Sequence, residues 1–174
     1  MTDKITIGVA VAIPEPHASV LSEWRKRVGD PEAGKIPTHV TLLPPTEFLV
    51  QQLDVVEKHL ERAAEQQTAF SMRLSGTGTF RPVSQVVFVQ VSAGIVECEL
   101  LERTIRADPV HREVEFPYHP HVTVAHDLDD EQLDLAYDAL RDFIAQFPVD
   151  RFVMYSQDST GAWHVYREFP LAGG

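Results

Sequence analysis

Two identical tripeptides, His39-Val40-Thr41 and His121-Val122-Thr123, stand 82 positions apart in this chain. With 21 valines, 11 threonines and eight histidines in 174 residues, two such triplets arise by chance at roughly one or two in a thousand. In a strand, residues i and i+2 point to one face. His39 and Thr41 therefore project together, with Val40 and Leu42 behind them. His121 and Thr123 do the same, with Val122 and Val124 behind. Imidazoles titrating near neutrality can serve as general base and general acid on opposite sides of a reacting centre. Threonine hydroxyls donate hydrogen bonds to anionic oxygens. That set suits a phosphodiester, and a cyclic one best. One histidine, His39 or His121, takes a proton from water, the other protonates the departing ribose oxygen, and Thr41 and Thr123 hold the non-bridging oxygens in the transition state. No metal or other cofactor is required.

Three plainer readings compete. A structural histidine pair is disfavoured, because packing prefers an apolar residue to a buried imidazole that needs partners. A nucleotide-binding sensor without turnover would have no use for the second imidazole. A zinc site on His119, His121 and His126 is the sharper alternative, since His119 and His121 share a strand face. Against it, Pro120 constrains the pair, no carboxylate completes a familiar ligand pattern, and the first half has no histidine matching His119. Arg81, just ahead of a strand, is a candidate phosphate contact and otherwise a loop arginine in solvent. Phe88 falls on the cleft-facing side of that strand by alternation, with Val86 and Gln90, where it could stack on a base, although a strand aromatic is usually core. Gly76-Thr77-Gly78 lacks the remainder of a phosphate loop and reads as a strand end.

The elements around the triplets repeat. Ile5–Ile13 alternates bulky and small residues, a strand with a bulky face for helices and a small face that leaves room. A helix over His17–Val28 follows, then a loop over Gly29–Pro37. Next comes a strand over Thr38–Leu43 stopped by Pro44 and Pro45. A helix carries Leu53, Val56, Leu60 and Ala63, and Phe70–Leu74 is a strand. The second half gives a strand over Val86–Val91 and a helix over Ile95–Arg106 with Leu100, Leu101 and Ile105. It continues with a strand over His121–Ala125 and a helix over Asp129–Phe147 capped by Asp129. Strands over Arg151–Tyr155 and Trp163–Phe169 end it. Gln52-Leu53-Asp54 matches Gln132-Leu133-Asp134, and Phe70-Ser71-Met72 matches Phe152-Val153-Met154. These offsets predict a duplicated unit: an α+β fold of two β-α-β-α-β lobes with pseudo-twofold symmetry and a central cleft. The chain reads as one bilobal domain over 1–174, with approximate repeats 5–79 and 85–170.

Two H-x-T-hydrophobic motifs about 80 residues apart resemble the 2H phosphoesterase superfamily, whose bacterial branch is 2′-5′ RNA ligase-like. The strand and helix order extends the resemblance over nearly the whole chain. It implies a bilobal α+β fold and metal-free cyclic phosphodiesterase activity on 2′,3′-cyclic or related ends. Some relatives also ligate RNA reversibly through 2′-5′ linkages. It implies catalytic roles for His39 and His121 and phosphate-holding roles for Thr41 and Thr123. Many relatives carry a basic residue five positions after the second motif's histidine. Here that place is His126, only partly charged near neutrality.

The formal charge of −11 opposes a long nucleic-acid footprint. It points to a small cyclic nucleotide or a short RNA 3′-end as substrate. No apolar run approaches a membrane span. The apolar N-terminus lacks a signal peptide's basic start and cleavage site, so the chain is expected to be cytoplasmic, away from membranes and monomeric. The lone cysteine, Cys98, excludes an internal disulfide framework and reads as inert within its helix.

Overall fold

A computed structural model describes residues 3–173. The elements run β1 (Lys4–Ala12), α1 (His17–Val28), β2 (His39–Leu49), α2 (Leu53–Gln66), β3 (Phe70–Thr79), β4 (Val86–Ala93), α3 (Ile95–Arg106), β5 (His121–His126), α4 (Asp130–Ala139), β6 (Ile144–Val149), β7 (Arg151–Gln157) and β8 (Trp163–Pro170). They build an α+β fold from two four-stranded antiparallel sheets, β2-β1-β7-β8 and β5-β4-β3-β6. The first half gives one sheet β1 and β2 and sends β3 to the other, while the second half gives that other sheet β4, β5 and β6 and sends β7 and β8 back. β3 leaves the first half to pair with β4, and β7 returns from the second half to pair with β1. The lobes are thus tied together by exchanged strands, and one contiguous buried cluster runs through both.

Local chemistry explains most boundaries. α1 ends at Gly29, whose φ of +82° is the left-handed cap that glycine adopts without a Cβ penalty. The turn brings Asp30 back onto Arg25, with Nε to Oδ2 at 2.8 Å, both residues buried. The other Asp30 oxygen accepts the Glu32 N–H. α2 buries Leu53, Val56, Leu60 and Ala63 as its spacing predicts. It adds His59, whose Nε2 donates to the last carbonyls of α3. Asp129 caps α4 by accepting the Gln132 N–H at 3.1 Å. No helix among the described residues is long and apolar enough to cross a membrane.

Four expectations need correction. β2 does not stop at Pro44 and Pro45 but runs through them to Leu49. It is an edge strand with register shifts against β1, where a missing N–H goes unneeded. β3 likewise continues through Gly76-Thr77-Gly78 to Thr79, with Gly76 at positive φ in an irregular step of its ladder. The last helix ends at Ala139, and Ile144–Val149 forms a strand pairing with β3. Leu133, Ala136 and Leu140 carry a helical spacing that Ile144 and Phe147 extend in the sequence. Yet Ala145, Phe147 and Val149 are buried in strict alternation, and Pro148 has no place inside a helix. Finally, the buried face of α3 is Cys98, Leu101, Glu102 and Ile105, while Leu100 is exposed.

The buried Arg25–Asp30 pair gives a stability test. Arg25→Leu strands the Asp30 carboxylate in the interior, and urea unfolding should show a loss of about 3–5 kcal/mol. A loss below about 1 kcal/mol would show that the pair does not carry this turn.

Candidate functional site

β2 and β5 present the two triplets in the same way. Val40, Leu42, Val122 and Val124 are fully buried, while His39, Thr41, His121 and Thr123 are half-buried on the opposite face. Each strand bulges one residue after its threonine. Opposite β1, Leu43 and Thr41 face consecutive residues, so Leu42 is the extra one. Opposite β4, Ala125 and Thr123 face consecutive residues, so Val124 is the extra one. A bulge shifts the alternation by one. Leu42 with Leu43, and Val124 with Ala125, are therefore both buried, and Pro44 and His126 return to the half-exposed face.

The imidazoles are fixed by matching bonds. His39 Nδ1 lies 2.7 Å from the Pro37 carbonyl, and His121 Nδ1 lies 2.6 Å from the His119 carbonyl. A carbonyl only accepts, so each Nδ1 carries the hydrogen and each Nε2 is left for chemistry. His39 Nε2 sits 3.1 Å from Thr41 Oγ1. Burial pushes the His39 pKa down to about 4, against the Pro37 carbonyl, which raises it; charge on Arg25 and on His121 lowers it further. Burial also lowers His121, with the His119 carbonyl opposing and the His119 charge assisting. Burial thus disfavours the imidazolium form of both rings.

Aromatic side chains wall both histidines. Phe80 meets the His121 ring edge-on at 5.0 Å, and Phe88 lies at 5.2 Å from it. Phe88 occupies the space over Gly78, where an added Cβ would come within 2.6 Å of its ring. On the other side, Trp163 covers Gly8, so the small face of β1 is filled by an indole. Trp163 and Tyr155 share a small cavity with His39 and Thr41. Thr41 also lines a second cavity of about 660 Å³, together with His121. The Tyr118 hydroxyl, from the segment entering β5, donates to the Thr41 carbonyl at 2.8 Å and ties one motif to the other.

The remaining sequence candidates fall elsewhere. Arg81 is outside both cavities. Its guanidinium is engaged by Thr79, Asp130 and Asp134, the last at 2.9 Å. His126 shares the motif's face but is likewise outside both cavities. Its Nε2 is 3.4 Å from Asp127, and its Nδ1 is buried without a partner among the described residues. Phe88 is buried at 4% exposure under its neighbours and has no free face for a base. His119 lies 6.0 Å from His121, ring to ring, but no group of three or more His, Cys, Asp or Glu among the described residues is arranged to hold a metal. Cys98 is buried and its thiol is pushed up to about 12 by burial, which leaves it unreactive. Sequence reasoning missed Tyr118, Tyr155, Trp163 and Glu102. For Glu102 a signal was available: a carboxylate on the apolar stripe of its helix.

Residues 13–161 match the family model of the 2′-5′ RNA ligase superfamily. A Bacillus pumilus protein named "Putative phosphoesterase" is 32% identical over 166 residues, covering 94% of this chain and 96% of its own. A Bacillus thuringiensis protein of the same name is 31% identical over 152 residues, covering 86% and 87%. Among solved structures, Escherichia coli LigT complexed with 3′-AMP superposes with a TM-score of 0.75 at 18% identity, over 97% of this chain and 99% of that one. A Thermus thermophilus protein superposes at 0.67 with 24% identity, over 97% and 98%. Both share the fold.

The histidine environment is open to direct measurement. In a proton NMR titration of the free protein, His39 should titrate near pH 4 and His121 below its ordinary value. Inorganic phosphate should move both upward, because an anion favours imidazolium. The linkage sign follows. Unfolded His39 binds a proton near pH 6.5 and folded His39 only near 4, so its contribution to stability is present above 6.5 and is lost as pH falls towards 4. An ordinary midpoint for His39 that ignores phosphate would contradict the desolvated pocket.

Proposed function

The chain belongs to the 2′-5′ RNA ligase superfamily, and on that premise we propose that the protein is a phosphoesterase. Its proposed substrate is a cyclic phosphodiester, a 2′,3′-cyclic phosphate on a mononucleotide or a short RNA end. The observation that carries this reading is the pair of matched Nδ1 hydrogen bonds. They leave two Nε2 atoms of fixed tautomer, one on each motif strand, and His39 Nε2 lies 3.1 Å from the Thr41 hydroxyl. The crystal structures of Escherichia coli LigT with 3′-AMP, ATP and phosphate agree with a small phosphate-bearing ligand.

In this reading His39, the more strongly desolvated ring, is the base. It is neutral at physiological pH, so its Nε2 lone pair takes a proton from water as the water oxygen attacks phosphorus. The bound phosphodiester raises the His121 pKa, and His121 Nε2–H gives its proton to the ribose oxygen as the P–O bond breaks. The product is a nucleoside phosphate monoester. Thr41 and Thr123 donate to the non-bridging oxygens as charge gathers on them. Arg81, tied to two aspartates, and His126, outside the cavities, are not given a role in this step.

Turnover of 2′,3′-cyclic nucleotides in excess chelator is the decisive test. The wild-type protein should remain active there. His39→Ala and His121→Ala should each lose about 10²–10⁴ in turnover, and the double variant should be little worse than either single one. Thr41→Ala and Thr123→Ala should cost at most about 2.7–4 kcal/mol of transition-state stabilisation. The turnover profile should be bell-shaped, with His39→Ala removing the acid-side limb and His121→Ala the alkaline one. Wild-type turnover in both single-histidine variants would refute the mechanism.

A further inference from the structure

The cavity of about 660 Å³ that begins at Thr41 and His121 has a composition that the phosphate chemistry does not explain. Its walls include Phe80, Phe116 and Tyr118, which suits a flat heterocycle. Among them stands Glu102, on the buried stripe of α3, with its side chain only 5% exposed. One carboxylate oxygen, Oε1, accepts from Arg106 Nε at 2.6 Å. The other, Oε2, has no hydrogen-bond partner among the described residues and is not sealed from solvent, and its residue lines the cavity. A buried carboxylate is costly unless its oxygens are paired. Here one oxygen is paired by the protein, and the other is left to whatever enters the cavity. Arg112, Glu113 and Glu115 also line the cavity.

We propose that this cavity is a nucleobase subsite in which Glu102 Oε2 accepts a hydrogen bond from an exocyclic amino group, so that the protein selects cytosine or adenine over uracil. The discriminating chemistry is simple. Cytosine and adenine present an amino donor on the edge where uracil presents a carbonyl oxygen. A carboxylate accepts from the first and is repelled by the second. A site built around a hydrogen bond rejects an analogue lacking it far more strongly than an apolar slot rejects a small change in size. Cytosine and uracil differ at this edge while matching in size and stacking area, so they isolate Glu102's contribution. The inference rests on the proposed placement of a phosphate beside Thr41 and His121. The ribose and base of a nucleotide held there would extend into this cavity.

Equilibrium binding of 3′-CMP and 3′-UMP by calorimetry tests it without requiring turnover. The wild-type protein should bind 3′-CMP at least about tenfold more tightly, the usual worth of a hydrogen bond to a charged group. Glu102→Gln should bring the two affinities within about threefold, because an amide can accept or donate. Equal affinities in the wild-type protein, or no binding of either nucleotide, overturn the inference, and neither result needs a variant to fold. An unchanged preference in folded Glu102→Gln also overturns it, by assigning selectivity to another residue. The two readings fail separately. A strong 3′-CMP preference without hydrolysis of cyclic phosphates sinks the mechanism alone, and hydrolysis with no base preference sinks the subsite alone.

Discussion

Each motif histidine gives its Nδ1 hydrogen to the carbonyl two residues upstream, Pro37 for His39 and His119 for His121. Much of the site depends on that paired constraint. A neutral imidazole has two tautomers, and only one leaves Nε2 free to accept a proton. Because the acceptor is a backbone carbonyl on the approach to the same strand, the tautomer is set by the strand itself. The constraint also explains why the motif belongs at a strand start. His39 and His121 are the first residues of β2 and β5. The residues before them are outside the ladder, so their carbonyls are free to bend back onto the ring.

Two such strands are useful only if they stay close, and the strand exchange secures this. β3 and β7 each leave one half of the chain for the other sheet, so separating the lobes would break both ladders. Tyr118 adds a direct tie by donating to the Thr41 carbonyl. The bulges after Thr41 and Thr123 finish the arrangement. They place two consecutive apolar residues in the core and turn Pro44 and His126 back to the open face. Without them, the alternation would put those side chains on the core side.

The sequence was legible where one period dominated. α1 and α3 fall on the predicted boundaries, and in each triplet the histidine and threonine share one face of their strand as alternation requires. It misled where two signals overlapped. The apolar residues of α4 and β6 line up at helical spacing across a turn, and only Pro148 and the alternation of Ala145, Phe147 and Val149 separate them. Pro44 and Pro45 read as a stop because edge position is a tertiary fact. Arg81 read as a free cation because nothing local shows that Asp130 and Asp134, about 50 residues later, will claim it. Trp163 over Gly8 is likewise a contact between chain ends, invisible to any window of sequence.

The electrostatics of the site follow from the same economy of charge. The chain carries a net −11, and two arginines that could have faced a phosphate are tied to carboxylates, Arg25 to Asp30 and Arg81 to Asp130 and Asp134. The motif's own donors are threonine hydroxyls and imidazoles whose charged form burial disfavours. A site that stored two imidazolium charges before substrate arrived would have no base. A site whose imidazoles stayed neutral after it arrived would have no acid. In the proposed mechanism desolvation resolves this, because a bound anion's field then acts strongly on the two pKa values. It acts most where a ring is least solvated and least screened. In the proposed mechanism the base is available before the ligand binds, and the acid is charged by the ligand that needs it.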